Sequence, residues 1–102
     1  AALYFHHGWD GSLERSRKPF PLIKDHVLFP FATELAATDE RLSTQLTPER
    51  IAELCALLPD AWLSGDTAFA STDAHRDAYA AYLSSRLQSP RAFIEEALRA
   101  HV

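Results

Sequence analysis

A chain of 102 residues, 47% hydrophobic and 24% charged, has the size of one small domain and an ordinary globular composition, which excludes disordered and fibrous classes. Its net charge of −4 argues against a sequence-independent nucleic-acid binder, which needs Lys and Arg gathered on one face to displace counterions from phosphates. No apolar run approaches the roughly 18 residues of a membrane span, and no basic region followed by an apolar one opens the chain, so a soluble, cytoplasmic protein without nucleic-acid or membrane partners is expected.

Taken in order, Ala1 to Phe5 read as a short extended segment, since Leu3, Tyr4 and Phe5 suit a strand better than a helix of that length. From Gly8 to Pro21 the chain reads as loop, with Pro19 and Pro21 removing backbone donors on either side of Phe20. The basic cluster Arg15, Arg17 and Lys18 lies there and reads as solvated charge. From Leu22 the period changes: Ile23, Val27, Phe31 and Leu35 recur at four-residue steps along one helical face, bent at Pro30. Thr38, followed by Asp39 and Glu40, then caps a short helix through about Leu46.

Thr47-Pro48 is the clearest start signal, a capping side chain before a proline whose preset φ suits the first helical position. The helix that follows buries Ile51, Leu54, Cys55 and Leu58 and ends at Pro59, with Trp62 and Leu63 folded back on it as an anchor. Ser64-Gly65-Asp66 begins a loop. Thr72 or Asp73 caps the next helix, whose apolar side carries Tyr79, Tyr82, Leu83 and Leu87. Ser89-Pro90 repeats the cap-then-proline signal before a last helix burying Phe93, Ile94, Ala97 and Leu98. The expected fold is mainly α, a single subdomain over residues 1–102 of about five helices with a short N-terminal strand. Its parts are a strand plus loop at 1–21, a bent helix and a short helix at 22–46, a helix with a Trp anchor at 47–63, and two C-terminal helices at 71–102.

Two stretches carry a resemblance: Ala2-Leu3-Tyr4-Phe5-His6-His7, and Ile23-Lys24-Asp25-His26 within the run from Pro19 to Ala32. Both resemble the C-terminal lobe of HipA-like serine/threonine kinases, in the small stand-alone branch of that family. Leu58 to Leu63 and the Tyr-rich helix ending in Arg86-Leu87 extend the resemblance toward the C-terminus, in a more generic helical pattern. It implies that an Asp-His-Gly loop with the magnesium-binding aspartate precedes Ala1, and that ATP and Mg serve a full-length relative. The lack of methionine and the apolar opening favour an excised product, with removal of an initiator before Ala1 as the alternative. Partners implied are the missing N-terminal part of the parent or another copy of the chain.

Phosphoryl transfer needs donors that cradle the phosphates, a cation on them, an acidic metal ligand and a positioned base. The sequence has no glycine-rich loop, its glycines being Gly8, Gly11 and Gly65, and it contains no asparagine for a catalytic loop. No catalytic, cofactor-binding or metal-ligating residue is therefore assigned. What the resemblance carries over is a neighbourhood: His6, His7, Lys24, Asp25 and His26 as candidates for the edge of the cleft. Adjacent His6 and His7 on a strand point to opposite faces and do not chelate one ion together. His26, His75 and His101 show no metal spacing, and Cys55 sits on the apolar side of a helix as a buried thiol. Ser12, His26 and Asp25 assemble into a hydrolase triad only on paper, without a nucleophile elbow. The expected function is structural support and one edge of the active cleft, in a fragment not catalytically competent alone; the alternative is a self-contained helical protein–protein interaction module.

Overall fold

The computed structural model describes residues 9–65 and 68–101, so the strand expected at Ala1 to Phe5 lies outside the described residues. Among those described the chain is mainly helical, with six α-helices and no strand. They are α1 (Ser12–Ser16), α2 (Leu35–Gln45), α3 (Pro48–Cys55), α4 (Asp60–Leu63), α5 (Thr72–Leu87) and α6 (Ala92–His101). Two 3-10 turns, Pro21–Asp25 and Phe29–Phe31, stand between α1 and α2.

Local chemistry sets the best-formed helices. Thr47 Oγ1 accepts from the Arg50 amide at 3.2 Å, and Ser71 Oγ accepts from the Ala74 amide at 3.0 Å, so each helix start satisfies one of its orphan donors. Ser71 thus takes the cap expected of Thr72 or Asp73, which fall inside the first turn of α5. α3 packs along α5 and buries Ile51 and Cys55, one turn apart, to 3% and 7% exposure. Leu54, expected in that stripe, is exposed, and α3 stops at Cys55, before Pro59.

The anchor over this pair is Leu63 alone, at 6% exposure, while Trp62 is 75% exposed. Neighbours on a helix point about 100° apart, so the single turn of α4 turns only one of them to the core. Arg76 locks α4 to α5: its Nε and Nη2 donate to the Leu58 carbonyl at 3.0 and 2.7 Å, and its other donors reach Asp60 and Asp73. At the other end, Arg91 makes a two-pronged ion pair with Asp39, both contacts at 2.7 Å, which joins α6 to α2.

The segment before α2 departs most from expectation. No bent helix runs from Leu22; instead the Ile23, Val27, Phe31, Leu35 series is spread over two 3-10 turns, with Val27 80% and Phe31 76% exposed. Proline removes the donor that a continuous helix needs at residue 30, and His26 between the turns adopts an extended backbone with ψ 133°. α2 consequently starts at Leu35, three residues before the expected Thr38 cap, whose amide bonds the Glu34 carbonyl at 2.9 Å. α1 occupies part of the expected loop, entered through Gly11 at φ +70°, a left-handed conformation that glycine adopts without a Cβ clash.

α6 begins at Ala92, two residues beyond Pro90, so Ser89-Pro90 does not cap it. Ala97 is its buried residue; Phe93 and Ile94 are half-buried and Leu98 is exposed. The buried apolar set among the described residues is small: Phe29, Ile51, Cys55, Leu63 and Ala97. The radius of gyration is 15.3 Å, whereas a closed domain of this length has about 13 Å. Accessible surface totals 7471 Å², against about 5,800 Å² for a compact monomer of this mass. Among the described residues the helices are well formed, while few apolar side chains are fully buried between them.

Candidate functional site

Of the five cleft-edge candidates, His6 and His7 lie outside the described residues. Lys24 and Asp25 end the first 3-10 turn and are exposed; the turn spreads them apart as a helix would. His26 is the one that enters a site. Pro21 opens the turn with its fixed φ, the Ile23 amide bonds the Phe20 carbonyl at 3.1 Å, and the His26 amide bonds the Ile23 carbonyl at 3.1 Å. His26 then holds the chain twice: its carbonyl accepts from the Phe29 amide at 2.9 Å and its Nδ1 accepts from the Leu28 amide at 3.1 Å. A ring nitrogen that accepts an amide proton carries none itself, so the neutral imidazole holds its proton on Nε2.

These bonds drop Phe29 into the interior, edge-on to the His101 ring with centroids 5.0 Å apart. Between this hooked segment and α6 lies a cavity of about 330 Å³, lined by Phe20, Ile23, His26, Leu28, Phe29, Ala32 and Leu35 on one side and by Arg86, Phe93, Ile94 and Ala97 on the other. Its walls are apolar except for the imidazole of His26 and the guanidinium of Arg86. Arg86 stands 4.5 Å above the Phe93 ring centroid, a cation over an aromatic face, and its Nη1 reaches the carbonyls of Ser16 and Lys18 at 3.3 and 3.4 Å.

The basic cluster of the sequence is partly structural. Arg17, half-buried, donates to the carbonyls of Ser85, Gln88 and Pro90 and so satisfies acceptors at the C-terminal end of α5. Ser16, almost fully buried, donates its hydroxyl to the Leu13 carbonyl at 2.5 Å and shares a hydrogen bond with Ser85 Oγ at 2.6 Å across the same junction. Periodicity could not announce these contacts, because they span about seventy residues of sequence.

A second cluster was also missed. His75, buried on α5, is stacked between Phe69 at 4.4 Å and Tyr79 at 5.1 Å, with Trp9 edge-on at 5.6 Å. The i, i+4 spacing of His75 and Tyr79 was a usable signal, since it places both on one face of a helix. Alongside, Leu54, Cys55, Leu58, Trp62, Leu63, Tyr79 and Leu83 line an apolar groove of about 430 Å³. Burial pushes the Cys55 thiol above its ordinary value, which suits a packed rather than a nucleophilic sulfur. The Asp60 carboxyl is held below the usual range, first by its hydrogen bond from Arg76 and then by that from Thr72.

Among the described residues, no group of three or more His, Cys, Asp or Glu converges as metal ligands, and no helix is long and apolar enough to cross a membrane. Compared with known proteins, the chain matches no family model, no curated protein and no solved structure.

Proposed function

We propose that this chain is the helical C-terminal part of a HipA-like protein kinase, a support that docks against the catalytic part and supplies one edge of its cleft. The observation that carries the proposal is a coincidence of place. The stretch from Phe20 to Phe31, which bears the Ile23-Lys24-Asp25-His26 resemblance, is also where large apolar side chains are most densely exposed: Phe20, Leu22, Val27, Leu28 and Phe31. A patch of that kind marks a surface built to be covered.

ATP and magnesium belong, on this reading, to the remainder of the parent, and the 102-residue chain alone turns over no ATP. Magnesium-dependent turnover by the chain, abolished by a substitution within it, would overturn the proposal.

The direct test is the coding sequence upstream. An Asp-His-Gly triplet directly before Ala1 is expected, and amides of residues 20–31 should exchange more slowly in the longer product than in this chain. An unrelated upstream sequence, or identical exchange in both, counts against the kinase reading. A helical protein–protein interaction module is then what remains, favoured by Trp62 standing exposed at the lip of the α3–α5 groove.

A further inference from the structure

We infer that the cavity beside Arg86 is a binding site for a small amphipathic carboxylate, one apolar chain or ring carrying a single negative group. The volume of about 330 Å³ lies at the lower end of ligand-site sizes, roughly 300–1,000 Å³, and its walls come from Ile23, Phe29, Phe93 and Ile94. Such walls select an apolar body. The choice of head group rests on the arginines.

Four arginines tie the helices of this molecule together, and three of them have their donors well used. Arg76 and Arg91 each hold a carboxylate, and Arg17 holds three carbonyls. Arg86 is the exception. It is half-buried and, among the described residues, pairs with no carboxylate and commits only Nη1, to two carbonyls at the long end of hydrogen-bond distance. Nε and Nη2 remain for a ligand, on a plane already fixed by stacking over Phe93. A guanidinium presents parallel donors that match the two oxygens of a carboxylate, and such pairing is strongest where water is thin. His26, its Nδ1 occupied by the Leu28 amide, lines the same cavity with its Nε2–H as a further donor.

One guanidinium balances one carboxylate. A phosphate dianion would bring a second charge against hydrocarbon without a second cation to meet it, and a cationic ligand would face Arg86 directly. The carboxylate with an apolar tail is therefore the chemistry that both halves of the cavity recognise. Phe20 and Leu28 belong both to this cavity and to the proposed docking stretch, so the inference is tested on the 102-residue chain alone, where its outcome does not depend on the docking proposal.

The test is a calorimetric titration of the chain with octanoate, octanol and octylamine, repeated on Arg86→Gln and on Ala32→Phe, which fills the cavity without touching the cation. Octanoate should bind at one saturable site, octanol at least tenfold more weakly, and octylamine not at all. Arg86→Gln should reduce octanoate to the level of octanol, and Ala32→Phe should remove both while circular dichroism stays helical. Equal binding of octanoate and octanol, binding unchanged by Ala32→Phe, or no saturable binding would overturn the inference. Should Arg86→Gln fail to fold, the comparison of the three probes on the unaltered chain decides the head group, and Ala32→Phe decides the place.

Discussion

The stretches 20–31 and 47–58 are both twelve residues long, and each contains seven apolar residues. Their fates differ. The second forms α3, seats Ile51 and Cys55 against α5 and belongs to the core; the first forms two 3-10 turns and buries only Phe29. Position of proline separates them. Pro48 stands at the first helical position, where its missing N–H is an orphan donor anyway, while Pro30 falls where a helix from Leu22 would need a donor. Apolar content supplies the driving force for burial, but only a backbone that repeats with the side chains gathers that content onto one face.

The largest effect that would break this contrast is at Ile51. Ile51→Ala should cost about 2–5 kcal/mol in denaturant unfolding, from lost burial and the cavity left behind, and Phe31→Ala in the other stretch should stay within about 0.5 kcal/mol. Similar midpoint shifts for the two variants would mean that the exposed stretch is part of the folded core. A step down, Thr47→Ala removes the side-chain cap of α3 and should cost about 1 kcal/mol; Thr47→Ser, which keeps the oxygen, should restore most of it. No loss in Thr47→Ala would show that packing on α5 alone holds the helix.

A smaller effect sharpens the comparison at the join between α4 and α5. Asp60 has its carboxyl held low by Arg76 and Thr72, so the folded protein binds its proton less readily than the unfolded chain does. The stabilisation is then fully present above the ordinary aspartate value of about 3.9 and is lost as pH falls through the lower folded value. Asp60→Asn should flatten the acid limb of the stability curve below about pH 4 and leave the slope at neutral pH unchanged; an identical acid limb would dissolve the link. The smallest change is expected at Trp62, whose replacement by Ala should move the midpoint by less than about 0.5 kcal/mol, because the indole is in water in this chain. A loss of several kcal/mol would put it in the core.

Much of the helical half was legible because its signals are local. Thr47-Pro48 names its own helix, and the spacing of Ile51 and Cys55 names its buried face. Cys55 read as buried, and it is. The errors have a common form: a local pattern was legible, but a neighbour was already using the position. Trp62 lost the core to Leu63, Thr38 fell inside a helix that starts at Leu35, and Ser89-Pro90 stops short of α6. At the site, the sequence singled out the Ile23-Lys24-Asp25-His26 run, yet of its polar members only His26 reaches the cavity, and Arg86, the other polar group of the lining, was noted only as the end of the Tyr-rich helix and not as a site residue.

By itself, then, the sequence determined the helical class, the chain's overall acidity, the start of α3 at Thr47-Pro48 and the burial of Ile51 and Cys55 on it. These depend on neighbours within a turn or two, where side-chain spacing and capping atoms act directly on the backbone. Only the tertiary structure decided which of two adjacent residues faces inward, which arginine meets a carboxylate and which does not, and that of the apolar residues in 20–31 Phe29 is buried while Phe20, Leu22, Val27, Leu28 and Phe31 stay exposed. Those outcomes turn on groups up to about seventy residues apart, such as Arg17 and the end of α5, that no local pattern connects and that packing alone brings together.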